Sequence, residues 1–399
     1  MNRKILIISL SGMLGMLAGG SLVFGQTTDT KAIGAKLGVK VLPVELSPER
    51  LQAVRKAVAA GTSVPMWNYN ILSPIDSNTY SGDMIGRDPG FNAHGHTTTN
   101  VSFYLVPLIL KFPSSGPVFD PTTANSCNKD NSGNPQSSLF FVRNSPEFVA
   151  SPLTINGVNE GTVQYTDAFQ KGNFHSIPPG KTLNNLPYHY SFTLTVTAAQ
   201  TINVPTSWNP GTMANNCGTE GFVAIESLDP YLQNTAIPAS GAGTNSVVMF
   251  LVDSIYETMG GKPFSAGYHS AFFPGGGTIP QVYGISEWDS AAGTAFVGGN
   301  ADLDILGHEI GELTDDPLGT NSTPAWGHIG QVTGCQADLE VGDPLTGTLF
   351  PGITMSNFTY HPQELTFFDW FFRVTPSRGA GGKYSDNGTF TSDAGAVCM

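Results

Sequence analysis

The chain has 399 residues, with 18 Lys and Arg against 31 Asp and Glu and a charged share of only 12%. That share is about half the usual value for a soluble domain, and the acidic balance repels phosphate backbones, which excludes a nucleic-acid partner. Mean hydropathy near zero and a supply of 24 Phe, 12 Tyr and 5 Trp exclude a disordered chain. With 47 Gly and 28 Pro, strands and turns are expected over long surface helices. The length fits two or three domains, or one large fold with long loops.

Taken in chain order, Arg3 and Lys4 precede an apolar run over 5–24 that ends Val23-Phe24-Gly25 ahead of Gln26. A basic start, an apolar stretch softened by Gly15 and Gly19, and small residues at its end form a signal peptide over 1–25. The alternative is an uncleaved anchor, since the run nearly reaches spanning length; its Ser and Gly content favours cleavage. The mature chain is then exported, with a net charge of about −15. It lacks a second hydrophobic run of spanning length, so no stable membrane insertion is expected after cleavage. Four cysteines follow, Cys127, Cys217, Cys335 and Cys398. An even number in an exported protein predicts two disulfides with three pairings open. The favoured pairing is Cys127–Cys217 with Cys335–Cys398, each within one half of the chain. None has CxxC spacing, which argues against a thiolate zinc site.

Residues 26–62 form an N-terminal segment whose one clear element is a short helix. Ser47-Pro48-Glu49 supplies a capping residue, a proline for the first position and an acid in the first turn, and Gly61 marks the stop. Residues 63–240 read as β-rich. Strands are expected over 101–112, 138–142, 188–196 and 221–225, separated by Gly, Asn, Pro and Ser turns. The polar stretch 127–135 is a turn; it lacks the EF-hand spacing for calcium. A second region, 241–399, has strands at 245–252 and 281–285 and the strongest helix of the chain at 302–314. The division near 240 carries no linker, so one continuous fold is the alternative. The fold class is α+β, β-rich, with mainly antiparallel strands.

The helix at 302–314 carries the chemistry. At about 100° per residue, with His308 at 0°, Glu312 falls near 40° and Asp315 near −20°. Leu303, Leu306, Ile310 and Leu313 occupy the opposite side, between about 140° and 220°. His308 and Glu312 are thus neighbours at the i,i+4 spacing that lets two side chains share one ion, with Glu309 beside them. This is the zincin arrangement HExxH with Glu in place of the second His. There, two helical side chains bind zinc and the intervening Glu is general base. The ligands are expected to be His308, Glu312 and Glu340, with Asp343 as the alternative third acid, and Glu309 is the catalytic base. The ion expected is divalent, zinc first; a carboxylate for an imidazole leaves room for calcium or manganese. The bland reading of His308 and Glu312 is a weak i,i+4 pair on an exposed helix face.

The run His308-Glu309-Ile310-Gly311-Glu312 with Asp316-Pro317, then Trp326, then Glu340-Val341-Gly342-Asp343, resembles the signature of the phosphate-induced, exordium-like secreted proteins and their uncharacterised bacterial relatives. The close match covers residues 303–344, with weaker echoes at Gly267–His269 and Tyr360–Trp370; the opening of the β region, Trp67 to Pro107 with Thr79–Gly82 and Ile85–Arg87, also resembles a group of uncharacterised secreted bacterial proteins. Two features depart from the pattern. Cys335 precedes the Glu340 segment, and Pro344 stands where a Cys often closes it, so the third ligand stays open between Glu340 and Asp343. The resemblance implies an extracellular or cell-surface role and a zincin-like helix.

Other histidines are weaker candidates. His269, after a strand, is an accessory candidate together with Asp316, weighed against an ordinary core histidine. His94 and His96 alternate in a stretch read as a solvated loop. Residues 367–372 are core in preference to a sugar-stacking platform. The function expected is an exported metal-dependent hydrolase acting on an extracellular polypeptide. The alternative is a non-catalytic extracellular or cell-surface binding protein with a structural ion or none.

Overall fold

The computed structural model describes residues 38–42, 46–90, 98–177, 180–215, 217–290, 301–394 and 398; the segment 1–25 expected to be a signal peptide, His94 and His96 lie outside them. A curled sheet of eleven strands organises the chain. Its strands are β1 (Gly38–Leu42), β2 (Thr98–Lys111), β3 (Val118–Phe119), β4 (His189–Val196), β5 (Gln200–Asn203), β6 (Gly211–Asn215), β7 (Gly218–Ala224), β8 (Ser246–Asp253), β9 (Ile255–Met259), β10 (Lys262–Phe272) and β11 (Gln281–Trp288). They run in the order β4-β2-β8-β11-β10-β9-β7-β6, with β1 added beside β10 and with β3 and β5 beside β2. The sheet therefore takes strands from both sides of residue 240, and β2 pairs directly with β8 across it.

Nine of the fifteen described strand ladders are antiparallel, so antiparallel pairing prevails over the chain. Within the large sheet the balance differs, with six of its ten ladders parallel. The cause can be read in β8, whose eight residues SVVMFLVD are all buried. A continuous apolar run covered on both faces belongs in the middle of a parallel arrangement. Val247, Met249 and Leu251 enter one hydrophobic core, while Val248, Phe250 and Val252 enter the other, the period of two that strand geometry imposes.

Helix α1 (Pro48–Ala59) begins as expected, with the Ser47 hydroxyl accepting from Arg50 N at 3.3 Å. The expected strand at 138–142 is instead helix α2 (Ser138–Arg143), capped by Ser137, whose hydroxyl accepts from Phe140 N at 3.1 Å. Its aromatic composition read as strand, but the local serine cap takes up a first-turn N–H and outweighs that preference. The polar stretch at 127–135 is a turn at its centre, where Asp130 Oδ1 accepts from the backbone N–H groups of Ser132 and Asn134 at 2.9 Å each. Both disulfides join the favoured partners, Cys127–Cys217 at 2.06 Å and Cys335–Cys398 at 2.13 Å. The second lies beyond the Glu340 loop in its contacts. It ties the C-terminal end to the hairpin Ser322–Ile329/Val332–Asp338, where Cys398 N donates to Ala325 O. Among the described residues no helix is long and apolar enough to cross a membrane.

Helix α3 (Tyr165–Asn173) packs on one side of the sheet, and helix α4 (Asp304–Asp315) lies against β10 and β11. Leu303, Leu306, Ile310 and Leu313 all join the core. Helix α5 (Phe368–Phe372) accounts for the aromatic run, every residue of which is buried.

Candidate metal centre

The chemistry-bearing residues meet where α4 crosses β10 and is covered from the other side by the 339–345 loop and the 361–365 segment. Asp302, just ahead of α4, anchors that segment. Its Oδ1 accepts from His361 N and its Oδ2 contacts His361 Nδ1, each at 2.8 Å. Asp315 at the helix end accepts hydrogen bonds from the Gln170 and Asn173 side chains of α3. Asp316 then leaves the helix with φ −136° and ψ 67°, neither helical nor extended.

His308, Glu309 and Glu312 are all 0% exposed, where an exposed polar face is the bland expectation for this helix. Gly311 permits the covering. A Cβ there would lie 2.6 Å from Leu365 and 3.4 Å from Val341, so only glycine lets those residues close over the polar side. His269 from β10 faces the helix and is likewise 0% exposed; Glu340 is 2% and Asp343 5% exposed.

Two imidazoles flank Glu312. Gln363 spends its amide N–H on Gly342 O, at 2.6 Å, and its Oε1 lies 3.0 Å from His308 Nδ1. Nδ1 must therefore carry the proton and donate, which turns Nε2 toward Glu312 Oε1 at 2.8 Å and Asp343 Oδ1 at 3.6 Å. On the sheet side, His269 Nε2 donates to the Asp316 carbonyl at 3.1 Å. Its Nδ1 faces Glu309 Oε2 at 3.5 Å and Glu312 Oε2 at 3.6 Å, too long for hydrogen bonds. Glu312 Oε1 also accepts from Gly342 N and Asp343 N, both at 3.2 Å.

The expected ligands therefore converge in two groups. His308, Glu312 and Asp343 offer donor atoms within 4.8 Å of one another, and so do His269, Glu312 and Glu340. Glu340 falls in the group of His269; Asp343 is the acid beside His308. Asp316 contributes its carbonyl to His269, while its carboxylate accepts from Thr320 N and Asn321 N and closes the turn after α4. Gln363, which sets the His308 tautomer, carries no sequence motif; its only signal is its place three residues after Tyr360.

Buried charge dominates the electrostatics. Burial pushes Glu309 and Glu340 well above the ordinary glutamate range, and the Glu312 charge adds to both. Burial opposes charge on His308, but the Glu312 and Asp343 carboxylates together outweigh it and lift the imidazole well above its usual value. Glu312 would be raised by burial and is brought below its usual value by His308. Burial lowers His269 to about 4, so at neutral pH its Nδ1 presents a lone pair to two carboxyl groups. His269 Nδ1, both Glu309 oxygens, Glu312 Oε2 and Glu340 Oε1 are buried without hydrogen-bond partners. Orphaned donors and acceptors at this depth are costly, and a divalent cation fits them. The donor set is imidazole and carboxylate, and each histidine has its outer N–H fixed on an amide or peptide oxygen, as ligating histidines do.

Comparison with protein-family models, curated proteins and solved structures returns no match to this chain.

Proposed function

We propose that the chain is an exported metal-dependent hydrolase of zincin-like chemistry, acting on an extracellular polypeptide or cell-surface component. The observation that carries this reading is Glu309. It lies one residue from His308, its two oxygens have no partner, and its Oε2 stands 3.5 Å from His269 Nδ1. His308 and Glu312, with Asp343 or Glu340, would hold the ion, zinc first and calcium or manganese as harder alternatives. A divalent ion bound there supplies Lewis acidity toward a carbonyl and toward water. Glu309 would accept the proton of the attacking water, a role suited to a carboxyl whose basicity burial raises. His269, neutral with its Nδ1 lone pair turned toward Glu309 and Glu312, is the accessory side chain of the centre. The two disulfides fit an oxidising compartment, in line with export, and the exordium-like resemblance of residues 303–344 supports a cell-surface setting.

A second reading has its own observation. Every group of the centre is at most 5% exposed, which suits a structural ion in a non-catalytic binding protein. Glu309→Gln separates the two. The hydrolase reading expects metal content to be kept while hydrolysis of a broad peptide library falls by about 10²–10⁴-fold. A wild-type protein that carries metal and hydrolyses nothing in that library favours the structural ion.

A further inference from the structure

The two histidines approach Glu312 from opposite sides, and that arrangement exceeds what one ion requires. His308 addresses Oε1 and His269 addresses Oε2. Each ring is locked so that its outer nitrogen donates to an oxygen, the Gln363 amide for one and the Asp316 carbonyl for the other. In each case the inner nitrogen points at a pair of carboxylates. Between these inner nitrogens and their acids the separations are 3.5 Å and 3.6 Å on the His269 side and, on the His308 side, 2.8 Å to Glu312 Oε1 and 3.6 Å to Asp343 Oδ1. The three longer ones exceed a hydrogen bond and are close to the edge of a tetrahedron of ligands placed about 2.1 Å from an ion, while the 2.8 Å contact is of hydrogen-bond length and would open on binding.

We infer that the centre is built for two divalent cations bridged by the Glu312 carboxylate, one held by His308, Glu312 and Asp343, the other by His269, Glu312 and Glu340. The inference rests on the reading above that the cluster binds a divalent ion, and adds a second ion and its ligands. Asp343 is oriented for the role by the Gln331 and Gln336 amides, which donate to its two oxygens. Glu340 brings Oε1 without a partner, so the His269 group has an orphaned buried oxygen of its own. Gly267 leaves room on the sheet side, since a Cβ there would sit 2.8 Å from Glu309 Oε1. A carboxylate bridge places two ions about 3.5–4 Å apart, the spacing of two-metal hydrolytic sites. Binding displaces the protons that otherwise reduce repulsion among these acids, so uptake releases protons.

The test titrates the full mature chain, stripped by chelator, with Zn²⁺ and counts retained metal by elemental analysis after desalting. Two equivalents are expected. His308→Ala and His269→Ala should each retain one, and Glu312→Gln should weaken both. Because the alanine variants remove buried rings, Asp343→Asn and Glu340→Gln provide a milder pair, each expected to lose one equivalent while far-UV and near-UV circular dichroism stay native. Mn²⁺ loading gives an independent signature. Two bridged ions produce an exchange-coupled electron paramagnetic resonance spectrum, and an isolated ion gives the simple six-line pattern. One equivalent in the wild type, lost in either histidine variant, overturns the two-ion inference and leaves the single-ion reading standing. A second equivalent indifferent to His269 and Glu340 overturns it as well. No retained metal overturns both.

Discussion

Gly342→Ala perturbs the centre without replacing a ligand. Gly342 has an ordinary helical backbone, φ −84° and ψ −35°, so alanine meets no conformational strain there. A Cβ would, however, stand 2.5 Å from His308 Cγ, 2.6 Å from Nδ1 and 2.7 Å from Cδ2, against ordinary contacts of 3.4–4 Å. The imidazole or the loop must therefore yield by roughly 0.9 Å to reach normal contact. Neither moves freely, because the Gln363 side chain bonds both. Overpacking of this kind costs about 1–3 kcal/mol, or a fall of about 1–4 °C in Tm for a chain of this size. Ligand geometry tolerates about 0.5 Å, so zinc affinity should also drop, by about 10–100-fold as when an outer hydrogen-bond partner of a ligand is lost. The assay is differential scanning calorimetry with competition against a chromophoric chelator. Gly334→Ala serves as control, since a Cβ there meets nothing within 4 Å. If the two variants match in both Tm and zinc affinity, His308 is not held against the Gly342 loop as described.

Stability in chelator should fall as pH rises from 6 to 8.5. Burial raises Asp253 to about 6, Glu147 to about 7 and Glu257 to about 8, above unfolded values of about 4. The folded state thus binds more protons, and the stability these groups contribute is lost as pH climbs through the folded pKa values. His269, lowered to about 4, acts the other way only below its unfolded value of about 6.5; a Tm that climbs steadily to pH 8.5 would refute the assignment. Cys335→Ser with Cys398→Ser opens a loop with a sequence separation of 63 and should lower unfolding free energy by about 4 kcal/mol in chemical denaturation. An unchanged midpoint would mean the bond constrains nothing in the unfolded chain. Intact mass of the secreted protein should begin at Gln26, and a retained Met1 would sink the signal-peptide reading.

How much of this could be read from the residues differs by element. Helices α1 and α4 were legible because their punctuation is local: Ser47 and Pro48 open one, Pro317 ends the other, and the apolar positions 303, 306, 310 and 313 keep helical spacing. His308 and Glu312 followed from that spacing alone. The burial of their face did not, because it depends on residues 339–345 and 361–365 folding over it from far along the chain. Gly311, at about −60° on the wheel and so flanking His308, was the available sign that something packs there. The split of Glu340 and Asp343 between two histidines was also hidden. Sequence distance orders both acids after the helix but does not say that β10 brings His269 to the other side of Glu312. The parallel core of the large sheet went unread for a related reason: its partners are set by crossovers, whereas turn residues announce hairpins.

The most direct measurement of the central claim is the metal content of protein secreted and purified without chelator, beside a His308→Ala, Glu312→Gln double variant. The account predicts a stoichiometric divalent ion in the wild type and a loss of at least one equivalent in the variant. A wild type without bound metal, or a variant with the same content, would contradict it.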